Sequence, residues 1–247
     1  IISCISFFII GLYDDKYNIK PFIKFTLLFL TTLLLLYFDP NLRIIEIKLS
    51  FLDRNINSLN YSIIFTLFCI VVFINSFNMF DGINLQASTY SFFLIIIFII
   101  YMNTSIFFII LLIFISSFKY LNFKNKTFLG DSGSLLISFI ISYIFIKLYN
   151  ENIINYSDDI FIYMLIPGID MIRLFFVRIL MNRSPFSDDR MHIHHLLLSK
   201  LTYSKSLIVI NLLILFPISL KYFVDGNVFI ILLTITCYSG KIIKIKN

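Results

Sequence analysis

Four short segments of this chain gather side chains that can bind cations, move protons or grip anions. Asp14 and Asp15 stand together at the end of an apolar run. Two adjacent carboxylates near a membrane repel each other unless a cation or proton is supplied, which suits Mg2+ binding or general-base work. A solvated helix terminus has the same composition. The segment NSFNMFDGIN, residues 75–84, ends another apolar run with Asn75, Asn78, Asp81 and Asn84 around a glycine. Such a cluster is costly at a membrane unless it faces water or a ligand, although Asp-Gly is also a plain turn signal. In FLGDSGS, residues 128–134, the two glycines let the backbone approach a ligand and Asp131 offers an oxygen to a hard cation. The N-terminus of the helix that follows would present unpaired N–H groups to phosphate, and a simple capped loop is the alternative. Finally SPFSDDRMHIHH, residues 184–195, holds Arg190, His192, His194 and His195 with two carboxylates. No Cys or Glu completes a zinc pattern there, so the cations suit phosphate or diphosphate better than a transition metal. Asp170 and Arg173, three apart just after Pro167-Gly168, read as a buried pair on one helical face that borders the site.

The elements that carry these segments must lie in lipid. Of 247 residues, 59% are hydrophobic and 14% charged, the mean hydropathy is +0.93 and 30 residues are Phe, which excludes a water-soluble globule. The net charge of +6 is what basic inner loops of a membrane protein produce, and no basic stripe resembles a nucleic-acid groove, so nucleic acid is not an expected partner. Cys4, Cys69 and Cys237 sit far apart in apolar runs and read as packing residues. The expected fold is an all-α polytopic bundle in a single domain over 1–247. Charge-free stretches predict eight whole spans, near 22–38, 61–76, 86–102, 104–119, 133–149, 160–181, 206–222 and 227–243, after a truncated first helix at 1–12. The opening residues lack a basic n-region and a small-residue cleavage site, so they read as the tail of a helix with chain expected upstream.

Parity along these spans brings all four segments to one side. The hairpin turn at residues 101–105 splits an uncharged stretch too long for one helix, and most Lys and Arg then fall on the side of the motifs. The positive-inside rule makes that side cytoplasmic without reference to any motif. On the other side, Ile45, Ile47, Leu49 and Phe51 alternate with polar residues, the pattern of a short outer hairpin.

In this order and spacing, the pair at Asp14-Asp15, N-x-x-N-x-x-D-G-x-N from Asn75, F-x-G-D-x-G-S from Phe128 and S-P-F-x-x-D-R-x-H-x-H-H from Ser184 resemble the polyprenyl-phosphate N-acetylhexosamine-1-phosphate transferases. This is glycosyltransferase family 4, with its WecA-like and MraY-like branches. The resemblance implies transfer of a sugar-1-phosphate from a UDP-amino sugar to undecaprenyl phosphate in the bacterial inner (plasma) membrane. UMP is released and a lipid-linked pyrophosphoryl sugar is left to start an envelope polysaccharide. It implies Mg2+, with Mn2+ as a substitute, held by Asp131 and Asn78. Asp14 and Asp15 would orient or deprotonate the lipid phosphate, Asp81 would lie at the nucleotide and metal region, and Phe128 would stack on uracil. Asn75, Asn84, Arg190, His192, His194 and His195 would bind substrate. Because Ile193 interrupts the histidines, the WecA-like branch and a UDP-N-acetylglucosamine donor are favoured. An MraY-type phospho-MurNAc-pentapeptide transferase and a non-catalytic or transport relative are the alternatives, and a homodimer is a candidate assembly. The chain departs from the family in reading LQAS after Asn84 where a Gly-Leu-Ala run is usual, and in Ser138 where a glycine is common. The family's first two helices are expected to lie outside it.

Overall fold

The computed structural model describes residues 1–102, 105–185 and 190–246. Eleven helices carry the described chain: α1 (Ile2–Tyr17), α2 (Pro21–Phe38), α3 (Ser62–Phe80), α4 (Gln86–Tyr101), α5 (Ile106–Phe123), α6 (Gly130–Asn150), α7 (Ser157–Tyr163), α8 (Leu165–Leu180), α9 (Ile193–Leu198), α10 (Tyr203–Phe223) and α11 (Asn227–Lys246). Seven segments are long and apolar enough to cross a membrane, namely Pro21–Phe38, Leu59–Phe80, Ile106–Phe123, Gly130–Asn150, Ser157–Leu180, Tyr203–Phe223 and Asn227–Ile245. The eighth expected span is the shorter helix Gln86–Tyr101.

α6 is the axis of the bundle. It is 61% buried, whereas α2 and α5 are each only 17% buried, as expected of helices whose apolar faces meet lipid. One side of α6 packs Phe139 and Leu135 against Phe7 of α1, Leu28 of α2 and Ile70 and Ile74 of α3. The other packs Phe145 against Tyr90 and Phe98 of α4 and Tyr163 of α7. α1 and α6 are drawn together at Gly11, where an added Cβ would lie 2.3 Å from the Ser132 Cα. A side chain there would push the Asp14-Asp15 and Asp131 motifs apart.

The expected span at 160–181 is two helices broken at Met164, three residues before Pro167. Pro167 has no N–H to give the carbonyl four residues earlier, that of Tyr163. The Tyr90 hydroxyl donates to that carbonyl instead, at 2.8 Å, so the break is satisfied from α4. The outer hairpin is real but short: β1 (Glu46–Ile47) pairs antiparallel with β2 (Ile56–Asn57), Ile47 opposite Ile56. Past β1 the strand is held by tertiary donors instead, since Lys48 N–H donates to the Tyr149 hydroxyl at 2.7 Å and Ser157 N–H to the Lys48 carbonyl at 2.8 Å. The three cysteines are free.

Candidate active site

The first, second and third motifs meet at the start of α6. Asp14 closes α1, Asn78 lies in the last turn of α3 and Asp131 in the first turn of α6. At their centre is Lys24, a residue the motif reading passed over. Its ammonium lies 2.7 Å from Asp14 Oδ2, 2.9 Å from Asp131 Oδ2 and 2.9 Å from Asn78 Oδ1. The amide of Asn78 donates to Asp131 Oδ1 at 2.6 Å and to the Ser134 hydroxyl at 2.7 Å. The sequence does carry a signal for Lys24: a single charge set one turn inside the apolar run PFIKFTLL, where an ionisable residue in a span points to a partner or a ligand.

Asp15 does something different from its neighbour. Its Oδ1 accepts the Asp131 N–H at 2.7 Å and its Oδ2 the Ser132 N–H at 3.0 Å. The helix N-terminus expected to be open to phosphate is therefore capped by a carboxylate from α1, which satisfies the orphan donors and complements the helix dipole. Gly130 is required at this cap. Its φ is +65°, and a Cβ would come 2.9 Å from Asp15 Oδ2. Asp14 Oδ1 in turn accepts the Ile19 N–H at 2.9 Å, which fixes the turn after α1.

Asp81 follows α3 and, among the described residues, its carboxylate has no hydrogen-bond partner. Burial, with Asp131 and Asp15 nearby, pushes its carboxyl up to about 7. The histidine segment reaches the same place through Gly82, where an added Cβ would fall 2.0 Å from His194 Nε2. The Nε2 edge of the imidazole thus packs against the residue beside Asp81. His194 is 1% exposed, and burial next to His195 and His192 holds it down to about 3, so it is a neutral packing ring at physiological pH. His192 lies parallel to it, 5.3 Å between centroids, and His195 is tilted 4.3 Å away. His192 precedes α9, and His194 and His195 lie in its first turn.

The remaining predicted residues lie further out. Asn75 donates to the Val71 carbonyl in its own helix at 2.8 Å. Asn84 is taken up by protein: it donates to Asn125 at 2.8 Å and accepts from Asn122 at 3.2 Å, and its carbonyl accepts the Tyr203 hydroxyl at 2.5 Å. Leu85, standing where the family has glycine, adopts φ +69°. Its N–H donates to Asn122 Oδ1 at 2.6 Å, so a buried amide from α5 holds a backbone form that glycine would take freely. Phe128 is exposed, as is Arg190, which among the described residues is not bonded to any of the four carboxylates. Of residues 184–195, positions 186–189 lie outside the described residues. Asp170 and Arg173 do pair, at 2.8 Å.

Among the described residues, no three His, Cys, Asp or Glu side chains are placed to hold a metal together. The oxygens that converge belong to two carboxylates and an amide, and they already surround one positive charge, that of Lys24. Hard oxygen donors of this kind fit Mg2+. A cavity of about 580 Å3 lies at the other end of α2 and α6, lined by Leu35, Phe108, Phe139, Tyr143 and Ile144 with Asp39 and Lys147. It is remote from the acidic cluster.

The described bundle brings acidic motifs from three helix ends onto one lysine, beside a short histidine helix, and the fold is that of a polytopic helical membrane protein. Residues 1–149 match the family described as Glycosyl transferase family 4, and the chain belongs to that family. It is similar to proteins named undecaprenyl-phosphate alpha-N-acetylglucosaminyl 1-phosphate transferase. With the one from Escherichia coli O157:H7 it shares 28% identity over 201 residues, 76% of this chain and 54% of the relative. With that from Yersinia pestis it shares 32% over 151 residues, 56% of this chain and 41% of the relative. With that from Haemophilus influenzae it shares 38% over 76 residues, 30% of this chain and 21% of the relative. The chain spans about half the length of the curated relatives it matches.

Proposed function

We propose that the protein transfers N-acetylglucosamine-1-phosphate, or a related amino-sugar phosphate, from a UDP-sugar to undecaprenyl phosphate and releases UMP. The reaction would take place at the cytoplasmic surface of a bacterial plasma membrane. The observation that carries this reading is the convergence of Asp14, Asp131 and Asn78 on Lys24, near the carboxylate of Asp81, which has no hydrogen-bond partner among the described residues. Family membership and the names of the relatives support the donor and acceptor classes.

A lipid phosphate oxygen attacks the sugar-bearing phosphorus, and the phosphoanhydride bond to UMP breaks with its electron pair leaving on UMP. Little covalent work falls to the protein, so positioning and charge stabilisation supply the rate. Lys24 presents an ammonium held by two carboxylates, which is placed to meet a phosphate oxygen without first giving up a hydration shell. Asp81, with its carboxyl near 7, is matched to take a proton from the acceptor phosphate at cellular pH. Asp15 keeps the 130–132 backbone in register, and Asp14 keeps Lys24 aimed. Asp131 and Asn78 would hold Mg2+, whose charge would offset that of the diphosphate when bound.

The test is UMP release by the protein in lipid nanodiscs, supplied with UDP-N-acetylglucosamine and Mg2+. We expect product only when undecaprenyl phosphate is also present. Release that ignores the lipid, or sugar-nucleotide flux across vesicles with no UMP formed, would overturn the assignment.

A further inference from the structure

Behind the histidine helix lies a second buried carboxylate system that the reading above does not use. Asp170 in α8 is 2% exposed, and four donors converge on it. Its Oδ1 accepts from Arg173 Nη2 at 2.8 Å, from the Tyr238 hydroxyl of α11 at 2.5 Å and from the Ile193 N–H at 3.2 Å. Its Oδ2 faces His192 Nδ1 at 2.9 Å. Arg173 also donates to the Met191 carbonyl at 2.6 Å and, through Nε, to the Tyr238 oxygen at 3.1 Å. The backbone on both sides of His192 is therefore pinned by the same pair that holds its ring.

A buried arginine–aspartate pair needing only its own satisfaction would pair fork to fork. Here the arginine gives the carboxylate a single bond, and the second carboxylate oxygen is left for the imidazole. An ionised carboxylate only accepts, so the proton between the two belongs to Nδ1. Nε2, on the far side of the ring, has no hydrogen-bond partner among the described residues. The ring stacks on His194, which packs on Gly82 beside Asp81.

We propose that Asp170 is the positioning residue of His192, holding the imidazole in its Nδ1–H form so that Nε2 is the atom offered to the phosphate-bearing ligand, with Arg173 and Tyr238 fixing the carboxylate. The proposal rests on the transferase reading for the identity of that ligand. The orientation itself does not depend on it. A carboxylate behind a working histidine sets both tautomer and direction, and removing such a partner costs roughly 10–100-fold in other sites.

The experiment has two arms. The protein has three histidines, so 15N imidazole spectra of the protein in nanodiscs can be assigned by replacing His194 and His195 singly. His192 should report Nδ1–H in the unaltered protein and in Tyr238→Phe, and should move to Nε2–H or a mixture in Asp170→Asn. In the activity arm, Asp170→Asn should lower kcat/KM for the UDP-sugar by about 10–100-fold. In a His192→Gln background the same change should cost less than about twofold, because residues acting as a unit are not additive. An Nε2–H His192 in the unaltered protein overturns the proposal, even if Asp170→Asn does not fold. So does an equal loss with and without His192, which would make Asp170 a tie between α8 and α11. Absence of UMP release from the unaltered protein would instead sink the transferase reading, and the spectra would still decide the role of Asp170.

Discussion

Both ends of α6 bury carboxylates, and the two are held in opposite ways. At its end, Asp158 accepts from the Ser50 N–H at 3.0 Å, from the Ser50 hydroxyl and from Asn227 at 2.8 Å. Asp159 takes the ammonium of Lys221 and a 2.6 Å bond from the same Asn227. Donors from the outer loop, α10 and α11 meet both acids, so the charge is closed within the protein. At the start of α6, Asp14 and Asp131 are bonded to one lysine, Asp15 to the helix backbone, and Asp81, near Asp131 and Asp15, has no hydrogen-bond partner among the described residues. A buried charge without a partner is costly to maintain. The outer end is thus a structural tie, whereas the inner end is left short of positive charge among the described residues.

The largest effect should come from Asp131→Asn, which keeps the shape but removes a charge shared by Lys24 and Asn78. UMP formation should fall by about 10^3-fold with unfolding unchanged within a few degrees, the scale on which pre-organised charge contributes to turnover. Retained activity would mean that the inner end is as structural as the outer one. Next, Lys24→Met and Lys221→Met put the comparison itself to the test. Both remove the lysine from a largely buried ion pair and should cost stability, up to about 3–5 kcal/mol in chemical denaturation. Only Lys24→Met should lower kcat, by roughly 100-fold, while Lys221→Met should stay within about twofold of the unaltered protein at a permissive temperature. Smaller still, Gly82→Ala drives a methyl into the His194 ring and should displace the histidine helix. We expect about a tenfold loss in kcat/KM, and a larger loss in kcat than in binding of a UDP-sugar measured by calorimetry.

The smallest effect is one of pH. Burial, with Asp131 and Asp15 nearby, pushes the Asp81 carboxyl up to about 7, above the ordinary carboxylate value. It therefore contributes stability that is complete below pH 4 and is lost as pH rises through 7. Asp81→Asn should raise Tm at pH 8 by roughly 3–5 °C and leave it unchanged at pH 4. His194 has the opposite sign: held down to about 3, it contributes above pH 6.5 and loses that contribution as pH falls toward 3. A Tm profile of Asp81→Asn parallel to that of the unaltered protein would show that Asp81 has a partner after all.

Much of this was legible in the chain. Charge-free runs announce the helices because an ionisable residue in lipid is expensive, and parity alone brings Asp14, Asp81, Asp131 and His192 to one side. What the motifs concealed was division of labour. Asp14 and Asp15 are adjacent and alike in sequence, yet a helix turns them about 100° apart, so one faces Lys24 and the other caps α6. Asn84 looked like a ligand group and is spent on Asn122, Asn125 and Tyr203, because Leu85 needs an unusual backbone and its neighbours must hold it. Asp170 looked like half of a structural pair and proved to touch His192.

By its own order of residues, this protein determined that it is a helical membrane bundle, which segments carry charge and that these segments emerge together at one end of the bundle. Those properties follow from local hydrophobicity and helix length, which each segment expresses alone. Only the tertiary structure decided that Lys24 stands among the acids, that Asp15 binds backbone and that Asp170 stands behind His192. A hydrogen bond spans about 3 Å, whereas these partners lie from 10 to more than 100 residues apart in the chain. Packing about α6 sets which of them come within reach.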